Sequence, residues 1–199
     1  MTTERQRPER PTGERILDAA EQLVQLRGFN GFSYADVAAE LKITKASLHY
    51  HYPSKGALGE ALIRRYTQRF VAELVGIDAG SGDASAKLRG YADLYAGLVD
   101  GQRMCLCGML AAEYSTLPEP MRDAVVDFFD QNEAWLARVL RTGKRQNSLS
   151  FSGSARDVAR AIISTLEGAL LTSRPYANPV RFRTTSRRLI ATLTRERVH

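Results

Sequence analysis

The sequence is poor in the residues that supply covalent cross-links, metal sites and nucleophilic catalysis. Among its 199 residues are two cysteines, three histidines and one tryptophan. Cys105 and Cys107 are too few for a disulfide framework. On a helix their spacing would send the two thiols about 200° apart, which makes an internal disulfide difficult. The histidines, His49, His51 and His199, lie early in the chain or at its end, far in sequence from the cysteines, so no Cys–His–acid set supports an enzyme. His49 and His51 stand two apart with no third ligand beside them, a poor metal site. No apolar run approaches bilayer length, and no useful stretch alternates with period two. The N-terminal MTTERQRPERPTGER lacks the apolar centre of a secretory signal. These absences predict an all-α, soluble, cytoplasmic chain that needs no cofactor, touches no membrane and is not an enzyme.

What is present is basic and helically patterned. The formal charge is +6 and hydrophobic residues make up 44%, enough for a real core and suited to a polyanionic partner. Residues 1–11, with Pro8, Pro11 and three arginines, read as a flexible arm. From Gly13, apolar Ile16, Leu17, Ala20, Leu23 and Val24 form one stripe, started by a Thr12 cap and stopped at Gly28. Phe29 and Phe32 are expected to plug the small core behind it. Ser33 caps a second helix with Asp36 as the acidic half of a capping box, and Val37, Ala38 and Leu41 form its buried stripe. Lys42-Ile43 makes a corner, and Thr44 caps a third helix from Lys45 to about Tyr50. Between Leu41 and Gly59 there are three lysines, two histidines and no carboxylate. Two short helices at a corner, the second carrying hydroxyl and cationic side chains, suit docking in a DNA groove. The bland rival is a helical hairpin with a solvated face, and the missing acids argue against it. Ser54 caps a fourth helix through Leu58, Leu62, Tyr66 and Phe70, ending before a linker at residues 76–85.

The remainder is also helical. Leu88 to Gly101 repeats with a 3.6-residue period, and Met104 to Tyr114 is a short apolar segment. A long helix opens at Glu119-Pro120 and closes near Gly143, and Asp157–Ser173 is apolar on two sides. One side of that helix is read as packing on its own domain, the other as meeting a symmetry mate through Ile162, Leu166, Gly168 and Ala169. The last helix, with Leu189 and Leu193, would complete a four-helix interface. The C-terminal arginines, from Arg181 to Arg197, are most simply a solvated face.

The segment ILDAAEQLVQLRGFNGFSYADVAAELKITKASLHYHYPSKGALGEALI, about a quarter of the chain, resembles the TetR family of bacterial transcription regulators. The likeness includes the stop at Gly28, the Ser33-x-x-Asp36 cap, the short third helix and the Ser54-Lys55 opening of the fourth. The corner departs from the family pattern, with Lys42 where a glycine is usual. The resemblance implies a three-helix helix-turn-helix head at 12–72 and a helical ligand-binding and dimerisation domain at 84–199. It further implies that Lys45, Ala46 and His49 face base edges, with Ser47 also pointing outward. Thr44, Tyr50, Tyr52 and Lys55 would bind phosphates, joined by the helix start at Ser33. Leu48 is expected to tie the helix to the bundle.

The implied ligand cavity would be lined from Tyr91, Tyr95, Met104, Met109, Phe128, Phe129 and Trp135, for each of which plain core packing is the competing reading. Glu113 and Glu167 interrupt apolar patterns, either to orient a ligand or to pair with an arginine. Cys105 is placed with the same lining, and both cysteines read as small packing residues or as redox or electrophile sensors, with Arg103 the neighbouring cation. The expected protein is a homodimeric repressor released from a palindromic DNA operator by a small-molecule effector. A redox or electrophile sensor and an effector-independent DNA-binding protein are the alternatives.

Overall fold

The computed structural model describes residues 10–80 and 82–194. Most of the arm expected at 1–11 therefore lies outside the described residues, as do Arg195 and Arg197. Nine α-helices follow one another among the described residues, and extended pairing is limited to an isolated bridge between Leu149 and Thr194. The all-α expectation holds.

Helix α1 (Thr12–Arg27) begins one residue earlier than a Thr12 cap would allow. Pro11 holds the cap position, and its carbonyl takes the amides of Glu14 and Arg15. The helix ends at Gly28, whose φ of 82° lies in the left-handed region that glycine enters without strain. Helix α2 (Tyr34–Leu41) turns into α3 (Lys45–His51) through Lys42, at φ 55°. The Ile43 amide reaches the Ala38 carbonyl and the Lys42 amide the Ala39 carbonyl, a Schellman closure built on a lysine. Helix α3 is only seven residues long, and Leu48, fully buried, anchors it to the bundle. Burying one leucine contributes roughly 1.5–3 kcal/mol, the main force holding so short a helix in place.

Helix α4 (Lys55–Ala79) runs straight through Gly76 and takes up the first four residues of the linker expected at 76–85, and the next helix begins at Ala84. Tertiary contacts override the glycine signal. Asp78 accepts hydrogen bonds from Lys87 at 2.9 Å, Arg138 at 2.8 Å and the Trp135 indole at 3.0 Å. Helix α5 (Ala84–Asp100) leads to α6 (Leu106–Ala112) and a 3-10 turn at Tyr114–Thr116. Helix α7 (Glu119–Arg145) passes its expected stop at Gly143. That glycine serves close approach instead, since a Cβ there would lie 2.5 Å from Leu149 and 2.7 Å from Ala84. Helix α8 (Ala155–Ser173) packs between α7 and α9 (Pro179–Leu193).

Helix α4 joins the two halves. Its first turns carry Leu58 and Leu62 into the core of α1–α3, while Tyr66 and Phe70 enter an aromatic cluster with Tyr91, Tyr95 and Phe128. On its outer side Arg65 bridges Glu14, Asp18 and Glu21 of α1 at 3.1, 2.8 and 3.1 Å. The dimer residues expected on α8 and α9 are largely used inside the protomer. Ile162, Leu166, Ala169 and Leu193 are all buried against their own domain, because the α7 and α9 contacts consume both apolar flanks of α8. Gly168 and Leu189 remain partly open, and a Cβ at Gly168 would meet nothing within 4 Å.

Candidate functional site

The exposed face of α3 holds the residues expected to read DNA. Thr44, Lys45, Ala46, His49 and Tyr50 are exposed, Tyr50 to 85%, while Ser47 is half-buried. The Thr44 hydroxyl caps the helix, accepting the Ser47 amide at 3.1 Å. His49 is held rather than free: its Nδ1 lies 3.2 Å from the Pro53 carbonyl and its ring 4.9 Å from that of Tyr34. A carbonyl only accepts, so Nδ1 carries the proton. Lys45 and His49 flank a shallow hollow completed by Phe32, Ser33, Tyr34, Ala35 and Lys55, beside the N-terminus of α2. An exposed, capped helix with a fixed histidine and an exposed lysine can meet base edges and phosphates.

Three of the expected DNA contacts are committed internally. Lys55 is half-buried, its ammonium donating to the Phe29 and Phe32 carbonyls at 2.5 Å each and lying 4.6 and 4.4 Å from their ring centroids. Burial lowers its pKa, with Glu113 and Asp36 acting in the opposite direction. The Tyr52 hydroxyl is 3.4 Å from the Gly13 carbonyl, and the Tyr52 carbonyl takes the Tyr34 hydroxyl, so Tyr52 braces α3 against α1. The Ser33 hydroxyl and amide both go to Asp36, at 2.6 and 2.7 Å. Those hydrogen bonds hold the Asp36 pKa below its usual value.

The expected ligand residues divide. Tyr91, Tyr95, Phe128 and Trp135 are buried in the core. They pack on one another, with Tyr91 and Trp135 stacked at 5.7 Å and the Tyr91 hydroxyl 3.0 Å from Asn132. Met104, Met109, Phe129 and Glu167 instead border a groove of about 540 Å³ between α6, α7 and α8, also walled by Gly108, Ile163, Gly168 and Leu171. That volume is within the range of small-molecule sites. Cys105 is the N-cap of α6 rather than part of a helical Cys-x-Cys, and accepts the Gly108 amide at 3.5 Å. Both thiols are fully buried, and burial followed by the charge of Glu167 raises their pKa values well above the ordinary range. Neither sits in the electropositive, accessible setting of a reactive thiolate.

Glu113 lies away from the groove. It stands at the C-terminal end of α6 and accepts the Phe29 amide at 2.5 Å and the Asn30 amide at 3.1 Å. The Asn30 side chain reaches Thr116 at 2.8 Å, and the Met104 amide takes the Gln25 carbonyl at 3.2 Å. Arg174 adds a hydrogen bond to the Leu26 carbonyl. The turn between α1 and α2 is thus held by residues from the other half of the chain. This junction escaped the sequence pattern, because a glutamate at the end of a short apolar helix gives no sign that its partners lie more than eighty positions away.

No group of three His, Cys, Asp or Glu side chains suited to a metal occurs among the described residues, and no described helix is long and apolar enough to cross a membrane.

Residues 16–62 match the family of bacterial regulatory proteins, tetR family, and residues 84–189 match the tetracyclin repressor-like C-terminal domain. The HTH-type transcriptional regulator LmrA of Bacillus subtilis is 30% identical over 177 residues, covering 83% of this chain and 87% of LmrA. A TetR family transcriptional regulator from Agrobacterium tumefaciens shares the fold with a TM-score of 0.89 at 31% identity, over 92% of this chain and 97% of its own. A TetR regulator from Legionella pneumophila gives 0.86 at 34% identity, over 94% of this chain and 100% of its own. With the head, the exposed α3 and the helical second half in agreement, the chain belongs to the TetR family of bacterial DNA-binding transcription regulators.

Proposed function

We infer that this regulator is a cytoplasmic, homodimeric repressor that leaves its operator when a small molecule enters the α6–α7–α8 groove. The observation that carries the reading is the double role of α6. Its Gly108 and Met109 form a wall of the groove, and Glu113 at its end holds the turn that feeds α2 and α3. A ligand that displaces this seven-residue helix therefore acts on the DNA-binding head through one hydrogen-bonded junction. Coupling of about 1–3 kcal/mol between such sites shifts operator affinity by roughly 5- to 150-fold.

In the dimer, two copies of α3 would enter successive major grooves about 34–36 Å apart on a palindromic operator. Lys45, Ala46, Ser47 and His49 face the bases, and Thr44 and Tyr50 the phosphates. The dimer face is the outward strip of α8 at Ala161, Ser164, Gly168 and Leu171, with exposed residues of α9 beside it; the last three α8 residues also border the groove, so the partner subunit would close its open side. The burial of both cysteines weighs against thiol sensing, and the open groove weighs against an effector-independent protein.

The test is an operator-release screen on full-length protein, using DNA recovered by selection from random sequence. A compound that releases wild-type protein and loses that effect in a groove-filling variant such as Met109→Trp supports the reading. Release that persists in the filled variant would place the effector elsewhere.

A further inference from the structure

Glu167 is the polar anomaly of the groove. It sits on α8 among Met104, Met109, Phe129, Ile163 and Leu171, and its Oε1 is buried with no hydrogen-bond partner among the described residues. The groups facing it are neutral: Cys105 and Cys107 from α6, Tyr91 and Tyr95 from α5 and Tyr66 from α4. Among the described residues the arginine on the groove wall is Arg160, already bound to Glu133 at 3.1 Å and to Asp157 at 3.5 Å. Burial raises the Glu167 pKa to about 7, with the nearby Cys105 thiol and Tyr95 hydroxyl pulling it down.

A buried carboxylate oxygen with no donor is costly, and the cost falls when a cation arrives. An anionic ligand would be repelled, and a neutral one without a donor would leave the oxygen unpaired. The Phe129 ring and the thioethers of Met104 and Met109 offer polarisable surface to an aromatic, positively charged body. We propose that the groove selects an apolar aromatic cation whose charged N–H group pairs with Glu167. This rests on the ligand-responsive reading above and names the class of ligand.

The test is calorimetric titration of the full chain with three probes of one shape: biphenyl-4-carboxamidine, biphenyl-4-carboxamide and biphenyl-4-carboxylate. The amidine binds wild type at least tenfold more tightly than the amide, and the carboxylate binds weakest. Glu167→Gln costs the amidine at least tenfold and leaves the amide unchanged, which also shows that the variant is folded. In wild type the amidine affinity falls about tenfold from pH 8 to pH 6, because a carboxylate titrating near 7 is protonated over that interval. The neighbouring thiols and phenols, all with raised pKa values, stay neutral throughout. In Glu167→Gln this pH dependence is gone.

Equal affinity of wild type for amidine and amide, no binding of either, or amidine binding that survives Glu167→Gln overturns the proposal. The operator assay separates it from the reading on which it rests. Glu167-dependent amidine binding without operator release upholds the ligand class and defeats ligand response. Release by the amide or the carboxylate, independent of Glu167, does the reverse.

Discussion

Replacing Glu113 with alanine removes a carboxylate that ties the second half of the chain to the turn between α1 and α2. Two backbone donors lose their acceptor, Phe29 in a half-buried setting at 2.5 Å and Asn30 in an exposed one at 3.1 Å. A hydrogen bond to a charged group contributes about 1.5–3 kcal/mol where water is excluded, and the exposed one adds at most about 0.5 kcal/mol because water replaces it. The loss is therefore about 2–3 kcal/mol, which for a chain of this size lowers the melting temperature by roughly 4–12 °C. The Asn30–Thr116 and Gln25–Met104 hydrogen bonds remain, so the fold persists while the turn loosens. Operator affinity falls with it, since α2 and α3 follow that turn. Glu113→Gln, which keeps one acceptor oxygen, loses about half as much. Thermal unfolding by circular dichroism and operator binding by anisotropy measure the two effects. A Glu113→Ala protein that melts within a degree of wild type and binds operator equally well would refute the junction.

Lys45→Ala and His49→Ala are expected to lose about 1–3 kcal/mol of discrimination between operator and random DNA while melting as wild type, measured by competition binding. Lys55→Ala behaves differently: it leaves the Phe29 and Phe32 carbonyls without their donor, so it lowers stability by about 2 kcal/mol, visible in urea unfolding, before any effect on salt dependence appears. Gly168→Leu has room within its own protomer and yet puts bulk on the outward strip of α8, so sedimentation should show monomers with a normal melting profile. Burial alone would raise the Asp78 pKa, but hydrogen bonds from Lys87, Arg138 and Trp135 hold it at about 2, below the unfolded value. Its contribution is present above about pH 4 and is lost as pH falls towards 2. After allowance for solvent screening this is about 1–2 kcal/mol, absent in Asp78→Asn on acid titration.

The head was legible because its signals are local. Gly28 takes a left-handed φ, Ser33 and Asp36 share a cap, and Leu48 is the single apolar residue that a short exposed helix needs. Gly76 and Gly143 carry the same letter as Gly28 and were misread as stops. One is held in helix by the ion pairs of Asp78 in the next turn, the other by the close approach of Leu149 and Ala84. The family resemblance marks Lys55 as a phosphate ligand, yet its ammonium reaches carbonyls more than twenty residues earlier. The aromatic set failed as a pocket for a related reason. Periodicity marks Tyr91, Tyr95, Phe128 and Trp135 as inward-facing, but not whether the space they face is filled, and their rings fill it with one another. Glu167 alone among the expected ligand groups combines a place on the groove with an unpartnered polar atom, which only the packed structure reveals.

In the proposed dimer an exposed α3 from each of two subunits reads one operator across adjacent major grooves. Hydroxyl-radical and dimethyl-sulfate footprinting of a DNA sequence selected by the full-length protein tests it most directly. The expected result is two symmetric half-sites with guanine N7 protection in the major groove, their centres about one helical turn, 10–10.5 base pairs, apart. His49→Ala and Lys45→Ala weaken protection inside the half-sites. A single unsymmetrical footprint, protection confined to the minor groove, or a footprint indifferent to both substitutions would contradict it.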